Sequence, residues 1–85
     1  MKYFTIKELC NSSTAVKLNI DNTPNSEIVN NLEQLVYYIL DPLREAFGKA
    51  IYVNSGYRCL NLNKAVGGSD TSQHCFGLAA DITAK

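Results

Sequence analysis

The sequence contains no tryptophan, one methionine, one histidine and two prolines in 85 residues, and neither sign of charge is in excess. Each shortage excludes something. Eight basic against eight acidic side chains give a formal net charge of zero, so no whole-molecule field draws nucleic acid or an anionic membrane to it. Long hydrophobic runs are missing as well. The longest unbroken apolar run is Leu35 to Leu40, far short of the roughly 20 residues that a membrane-spanning helix needs. The opening Met1-Lys2-Tyr3-Phe4-Thr5-Ile6-Lys7-Glu8 meets charge too early for a signal peptide, which predicts a chain that is cytoplasmic as synthesised. Three cysteines, Cys10, Cys59 and Cys75, stand at unrelated spacings in an odd number. That argues against a disulfide framework and for a reducing compartment with buried thiols.

What is present suits one small domain over residues 1–85, with 46% hydrophobic content for a modest core. There is no internal repeat, low-complexity tract or linker to suggest a second one. Asp21-Asn22-Thr23-Pro24 reads as a turn into a helix, with Thr23 as N-cap and Pro24 in the first turn. Ile28, Leu32, Leu35, Val36, Ile39, Leu43 and Phe47 then recur at helical steps and predict a core-facing stripe. Asp41-Pro42 is expected to kink or split that helix, and Gly48 to end it. Ala50 to Val53 predicts a strand, Asn54-Ser55-Gly56 a tight turn with Tyr57 and Arg58 at its mouth, and Cys59 to Val66 a brief helix stopped by Gly67-Gly68. A polar loop from Ser69 to Gln73 leads to a last strand that carries Asp81 and runs to Lys85. The expected class is α+β, a long kinked helix and a short one packed on a small antiparallel sheet. A two-stranded sheet leaves an edge that helices must cover or that invites self-association.

The candidate chemistry sits in Ser72-Gln73-His74-Cys75-Phe76-Gly77-Leu78-Ala79-Ala80-Asp81-Ile82. Leu78, Ala80 and Ile82 alternate with Ala79, Asp81 and Thr83, so on a strand Asp81 points away from the Ile82 side. A carboxylate in such an apolar run needs a cation, hydrogen bonds or solvent to meet it. Gly77 allows a turn that brings His74 and Asp81 together, and zinc accepts both imidazole nitrogen and carboxylate oxygen. Taken alone, the lone histidine also fits an ordinary hydrogen-bonded role, and Arg58 an ordinary surface ion pair. Tyr57 taken alone fits packing.

Ser55-Gly56-Tyr57-Arg58, Leu62-Asn63 with Val66-Gly67-Gly68, and Ser72-Gln73-His74 through Gly77 to Ala80-Asp81-Ile82 together resemble the zinc D-alanyl-D-alanine peptidases of the M15 group. The likeness is greatest to the M15A-like enzymes of phages and bacteria, endolysin-like proteins among them. Phe4-Thr5 with Glu8-Leu9, Ser12-Ser13-Thr14-Ala15, Ile20 to Pro24 and Asp41-Pro42-Leu43-Arg44-Glu45 are similar to that group's leading segment. The resemblance implies the front part of the hedgehog/DD-peptidase fold, with Zn2+ bound by His74 and Asp81. It also implies Arg58 as the group that steadies a substrate carbonyl or carboxylate, with Ser72 and Tyr57 lining the substrate. The implied reaction is hydrolysis of a D-alanine-containing bond in peptidoglycan stem peptides, on the cell wall once the protein is released.

The family pattern also has a third zinc ligand, a histidine, and an acidic proton carrier just before it on a later strand. His74 is the single histidine here, and Asp70, Cys75 and Glu45 have no spacing that recommends them. A hydrolytic zinc ordinarily has three protein ligands and an open water position. The expectation is therefore a truncated domain, with a strand supplied by a partner or a degenerate relative as alternatives. The alternative function is a catalytically inactive remnant that binds peptidoglycan peptides or a protein.

Overall fold

Short polar side chains start most of the helices in the computed structural model, which describes residues 1–84. Thr5 Oγ1 accepts the Glu8 amide and opens α1 (Ile6–Cys10), and Ser12 Oγ accepts the Ala15 amide and opens α2 (Ser13–Lys17), each at 3.1 Å. The long helix begins as α3 (Ser26–Leu35), capped by Asn25 Oδ1 on the Ile28 amide at 2.9 Å. Thr23 is not its cap. The Thr23 amide and hydroxyl both donate to Asp21 Oδ1, at 3.0 and 2.6 Å, and this local turn ends before the helix starts. The same two bonds hold the Asp21 carboxyl below its usual range.

The long helix is not split at Pro42. It passes through one wider π turn, Val36–Leu40, straight into α4 (Asp41–Phe47). Proline has no amide to donate and crowds the turn before it; the chain answers by opening that turn, so that the Asp41 amide reaches the Val36 carbonyl five residues back. The backbone at Leu40 and Asp41 stays right-handed helical throughout. The inserted residue rotates everything after it. Ile28, Leu32, Val36 and Leu40 are buried as one row, while Ile39, Leu43 and Phe47, expected in the stripe, are 55%, 42% and 43% exposed.

Asp41 is turned inward instead, at 8% exposure. Its two carboxylate oxygens accept the Lys2 amide at 2.8 Å and the Tyr3 amide at 3.0 Å, which pins the amino-terminal segment to the helix. Phe4 then enters the core with Leu9, Ile28, Leu32, Val36, Leu40 and Ile51. Each such side chain contributes about 1.5–3 kcal/mol by leaving water. Gly48, at φ 75°, closes α4 as the sequence predicts.

Among the described residues the sheet is two antiparallel strands, β1 (Ile51–Ser55) and β2 (Asp81–Ala84), paired Ile51 with Ala84, Tyr52 with Thr83, Val53 with Ile82 and Ser55 with Asp81. Asn54 is the extra residue of a bulge. Asn54 and Ser55 thus continue the strand rather than forming the expected turn. Val53 and Ile82 pack against the core; the bulge lets Ser55 join Asp81 on the other face, where Asn54 Nδ2 donates to Thr83 Oγ1. β2 starts at Asp81, later than the alternation from Leu78 suggests, and its expected end at Lys85 lies outside the described residues. Between the strands lie α5 (Leu60–Ala65) and a short 3-10 turn, Gln73–Phe76. The architecture is α+β, as expected. No described helix is long and apolar enough to cross a membrane.

Asp41→Ala leaves two backbone amides without their acceptor, so it is expected to lower stability by about 1–3 kcal/mol. Urea denaturation checks this, and an unchanged midpoint would remove Asp41 as the anchor of the amino terminus.

Candidate functional site

The site is built around residues 56–58, which lie hard against the end of α1. A Cβ at Gly56 would be driven into the Leu9 carbonyl, so only glycine permits this approach. The Tyr57 amide donates to Leu9 O at 2.8 Å, and the Arg58 amide to His74 O at 3.1 Å. One short segment therefore joins α1 to the turn that carries the histidine.

That turn is shaped at both ends. Ser72 Oγ accepts the His74 amide at 3.2 Å and caps it. Gly77 closes it at φ 72°, where a Cβ would also stand 3.0 Å from the Ile28 carbonyl oxygen. The turn at Gly77 brings His74 to Asp81, as the spacing predicts. His74 Nδ1 lies 2.7 Å from the Gly56 carbonyl oxygen. A carbonyl only accepts, so Nδ1 carries the proton in that bond, and in the neutral ring the lone pair is on Nε2.

His74 Nε2 is 3.5 Å from Asp81 Oδ2. This exceeds an ordinary N–H···O bond. It matches the separation of roughly 3.3–3.5 Å that two donors adopt when each is about 2.0–2.2 Å from one tetrahedral cation. The donor chemistry and spacing thus fit two corners of a zinc site. The pair is asymmetric: the His74 side chain is 13% exposed and the Asp81 side chain 66%. Among the described residues no group of three or more histidine, cysteine, aspartate or glutamate side chains converges to hold a metal ion. Glu45 pairs with Lys2 at 3.2 Å, and Cys75 is buried as a free thiol.

Arg58 joins the same network through Ser72. Its Nη2 donates to Ser72 Oγ at 3.2 Å, so this hydroxyl accepts from the guanidinium and from the histidine turn at once. Arg58 Nε is buried with no hydrogen-bond partner among the described residues. Tyr57 packs on the core, and burial first of all pushes its hydroxyl above the usual range. Both residues border a polar cavity of about 490 Å³ that reaches Ser12, Thr14 and Asn54. A second, more apolar cavity of about 540 Å³, between α1, α2 and residues 19–24, contains none of the candidate residues.

Two participants are not evident in the sequence. The Gly56 carbonyl orients His74, and a backbone oxygen has no signature beyond the glycine itself. Asn22 Nδ2 donates to Cys10 O and Tyr57 O, and its Oδ1 accepts the Cys59 amide; its position in a turn suggested only local use.

Comparison with known proteins gives a concordant result. A family model described as Peptidase M15 matches residues 2–85. A zinc D-Ala-D-Ala carboxypeptidase from Streptomyces albus G is 46% identical over 46 residues, which cover 53% of this chain and 18% of that enzyme. The chain thus spans a minor part of that relative's length. No solved structure matches significantly.

Ser72→Ala removes a turn cap together with an acceptor for Arg58, and is expected to cost about 1 kcal/mol. Thermal or urea unfolding reads this. Ser72→Thr, which keeps the hydroxyl, should retain most of the stability; equal losses in both variants would show that the hydroxyl is not what matters.

Proposed function

The chain belongs to the peptidase M15 family, and on that premise we propose that it acts on D-alanine-containing stem peptides of peptidoglycan as part of a zinc peptidase. The observation that carries this reading is the His74–Asp81 pair, held 3.5 Å apart with the imidazole proton engaged on the opposite nitrogen. His74 Nε2 and Asp81 Oδ2 would hold the zinc. Bound there, the metal would supply Lewis-acid polarisation of the scissile carbonyl and a water acidic enough to attack it.

The remaining steps belong to the chain's own groups. Gly56 O keeps the His74 lone pair aimed at Asp81, which avoids reorienting the ring when the metal binds. Arg58 offers a planar, permanently charged donor set suited to a substrate carboxylate or a developing oxyanion. Ser72 holds one guanidinium nitrogen in place, while Nε is buried on the protein side. Tyr57 and Ser72 border the substrate in this reading. Domain 1–85 is then the portion of the peptidase that supplies two metal ligands and the arginine.

A second reading is favoured by one observation, that just two ligands converge among the described residues. It is peptide binding through Arg58 without hydrolysis. The purified chain, titrated with zinc and an acetylated peptide ending in D-Ala-D-Ala, separates the two. The expected result is zinc uptake weakened about tenfold or more by His74→Ala, with peptide binding that tightens once zinc is present. Peptide binding indifferent to zinc supports the second reading. Binding of neither zinc nor peptide, in a folded protein, overturns both.

A further inference from the structure

We propose that Asn22 is a positioning residue for Arg58, fixing the backbone from which the guanidinium projects. The inference rests on the reading above only for what Arg58 meets. The geometry itself is independent of it. Asn22 Nδ2 donates to Tyr57 O at 2.9 Å and to Cys10 O at 3.0 Å, while Oδ1 accepts the Cys59 amide at 2.7 Å.

Tyr57 O belongs to the peptide plane that enters Arg58, and the Cys59 amide to the plane that leaves it. One side chain therefore holds both planes around a single Cα, and with them the two soft backbone angles of Arg58. The third bond ties that unit to the end of α1. The Arg58 amide is fixed from the other side by His74 O at 3.1 Å. With the backbone set, the guanidinium has its Nη2 on Ser72 and its Nε buried.

The chemistry asks for a primary amide. Only such a group presents two donors and an acceptor on one short stem. Aspartate keeps the acceptor and loses both donors, alanine loses all three, and glutamine carries the same groups on a longer stem.

The test compares Asn22→Ala and Asn22→Asp with the unaltered 85-residue chain by nitrogen-15 NMR of the arginine Nε–Hε groups. Arg44, stacked over the Tyr3 ring at 4.7 Å, is the other arginine and serves as the unchanged internal control. In the unaltered chain the Arg58 Hε is expected to exchange slowly. In Asn22→Ala it should exchange about tenfold faster and move towards the position of a free arginine, as expected when hydrogen bonds worth about 1–2 kcal/mol are lost. Asn22→Asp should fall in the same direction, and is the variant to read if alanine prevents folding. Affinity for the acetylated D-Ala-D-Ala peptide should fall about tenfold in Asn22→Ala and no further when Arg58→Ala is added, with zinc affinity unchanged. An unaltered Arg58 resonance in either folded variant overturns the proposal. So does a parallel loss of zinc and peptide affinity, the mark of general loosening. If Arg58→Ala leaves peptide affinity intact in the unaltered background, the functional reading of Arg58 fails, and the resonance comparison alone decides whether Asn22 positions it.

Discussion

The bond between His74 Nδ1 and the Gly56 carbonyl, 2.7 Å long, is the constraint on which the rest of the site depends. It decides which nitrogen of the ring is free, and it ties the histidine turn to the one segment that can lie against Leu9. That segment is glycine at its first position because a side chain there would collide with a backbone carbonyl. The following amides of Tyr57 and Arg58 then bond to Leu9 O and His74 O in succession. Three consecutive residues thereby connect a helix end, the histidine turn and a guanidinium, and this linkage is backbone in origin. Side-chain identity matters most where the backbone geometry needs an exception.

Several parts of this arrangement are legible in the sequence, and the parts that are not share a cause. The convergence of His74 and Asp81 follows from a local spacing with a glycine between them, and local spacing is what a sequence displays. The long helix is equally visible in its apolar period. Its buried face after Val36 is not, because Pro42 is resolved by a π turn that shifts the phase, exchanging the expected Ile39, Leu43 and Phe47 for Leu40 and Asp41. Asp41 then finds partners at Lys2 and Tyr3, almost forty positions away. Asn22 likewise reaches Tyr57 and Cys59 across the chain. Contacts of that range leave no mark on periodicity, and a polar residue in a turn reads as a polar residue in a turn.

The two candidate ligands differ in how they are prepared. His74 is largely enclosed and its ring is held from behind, whereas Asp81 stands at the first position of a strand and is mostly open to solvent. The imidazole side of the pair is thus fixed, and the carboxylate side retains freedom to adjust. Arg58 lies on the enclosed side, coupled to the histidine turn through one hydroxyl. A change in the turn is therefore felt by the guanidinium.

The bulge at Asn54 gives the sheet a parity. Side chains on the two strands alternate with period two, and the additional residue is the one place where odd and even positions exchange sides. Sliding β2 along β1 by a single step would turn Ile82 to solvent and Asp81 towards the core. Sliding by two would restore the faces yet separate Asn54 from Thr83 and leave the bulge opposite the wrong partner. Both errors carry their own penalty, so the pairing of these two strands keeps one alignment.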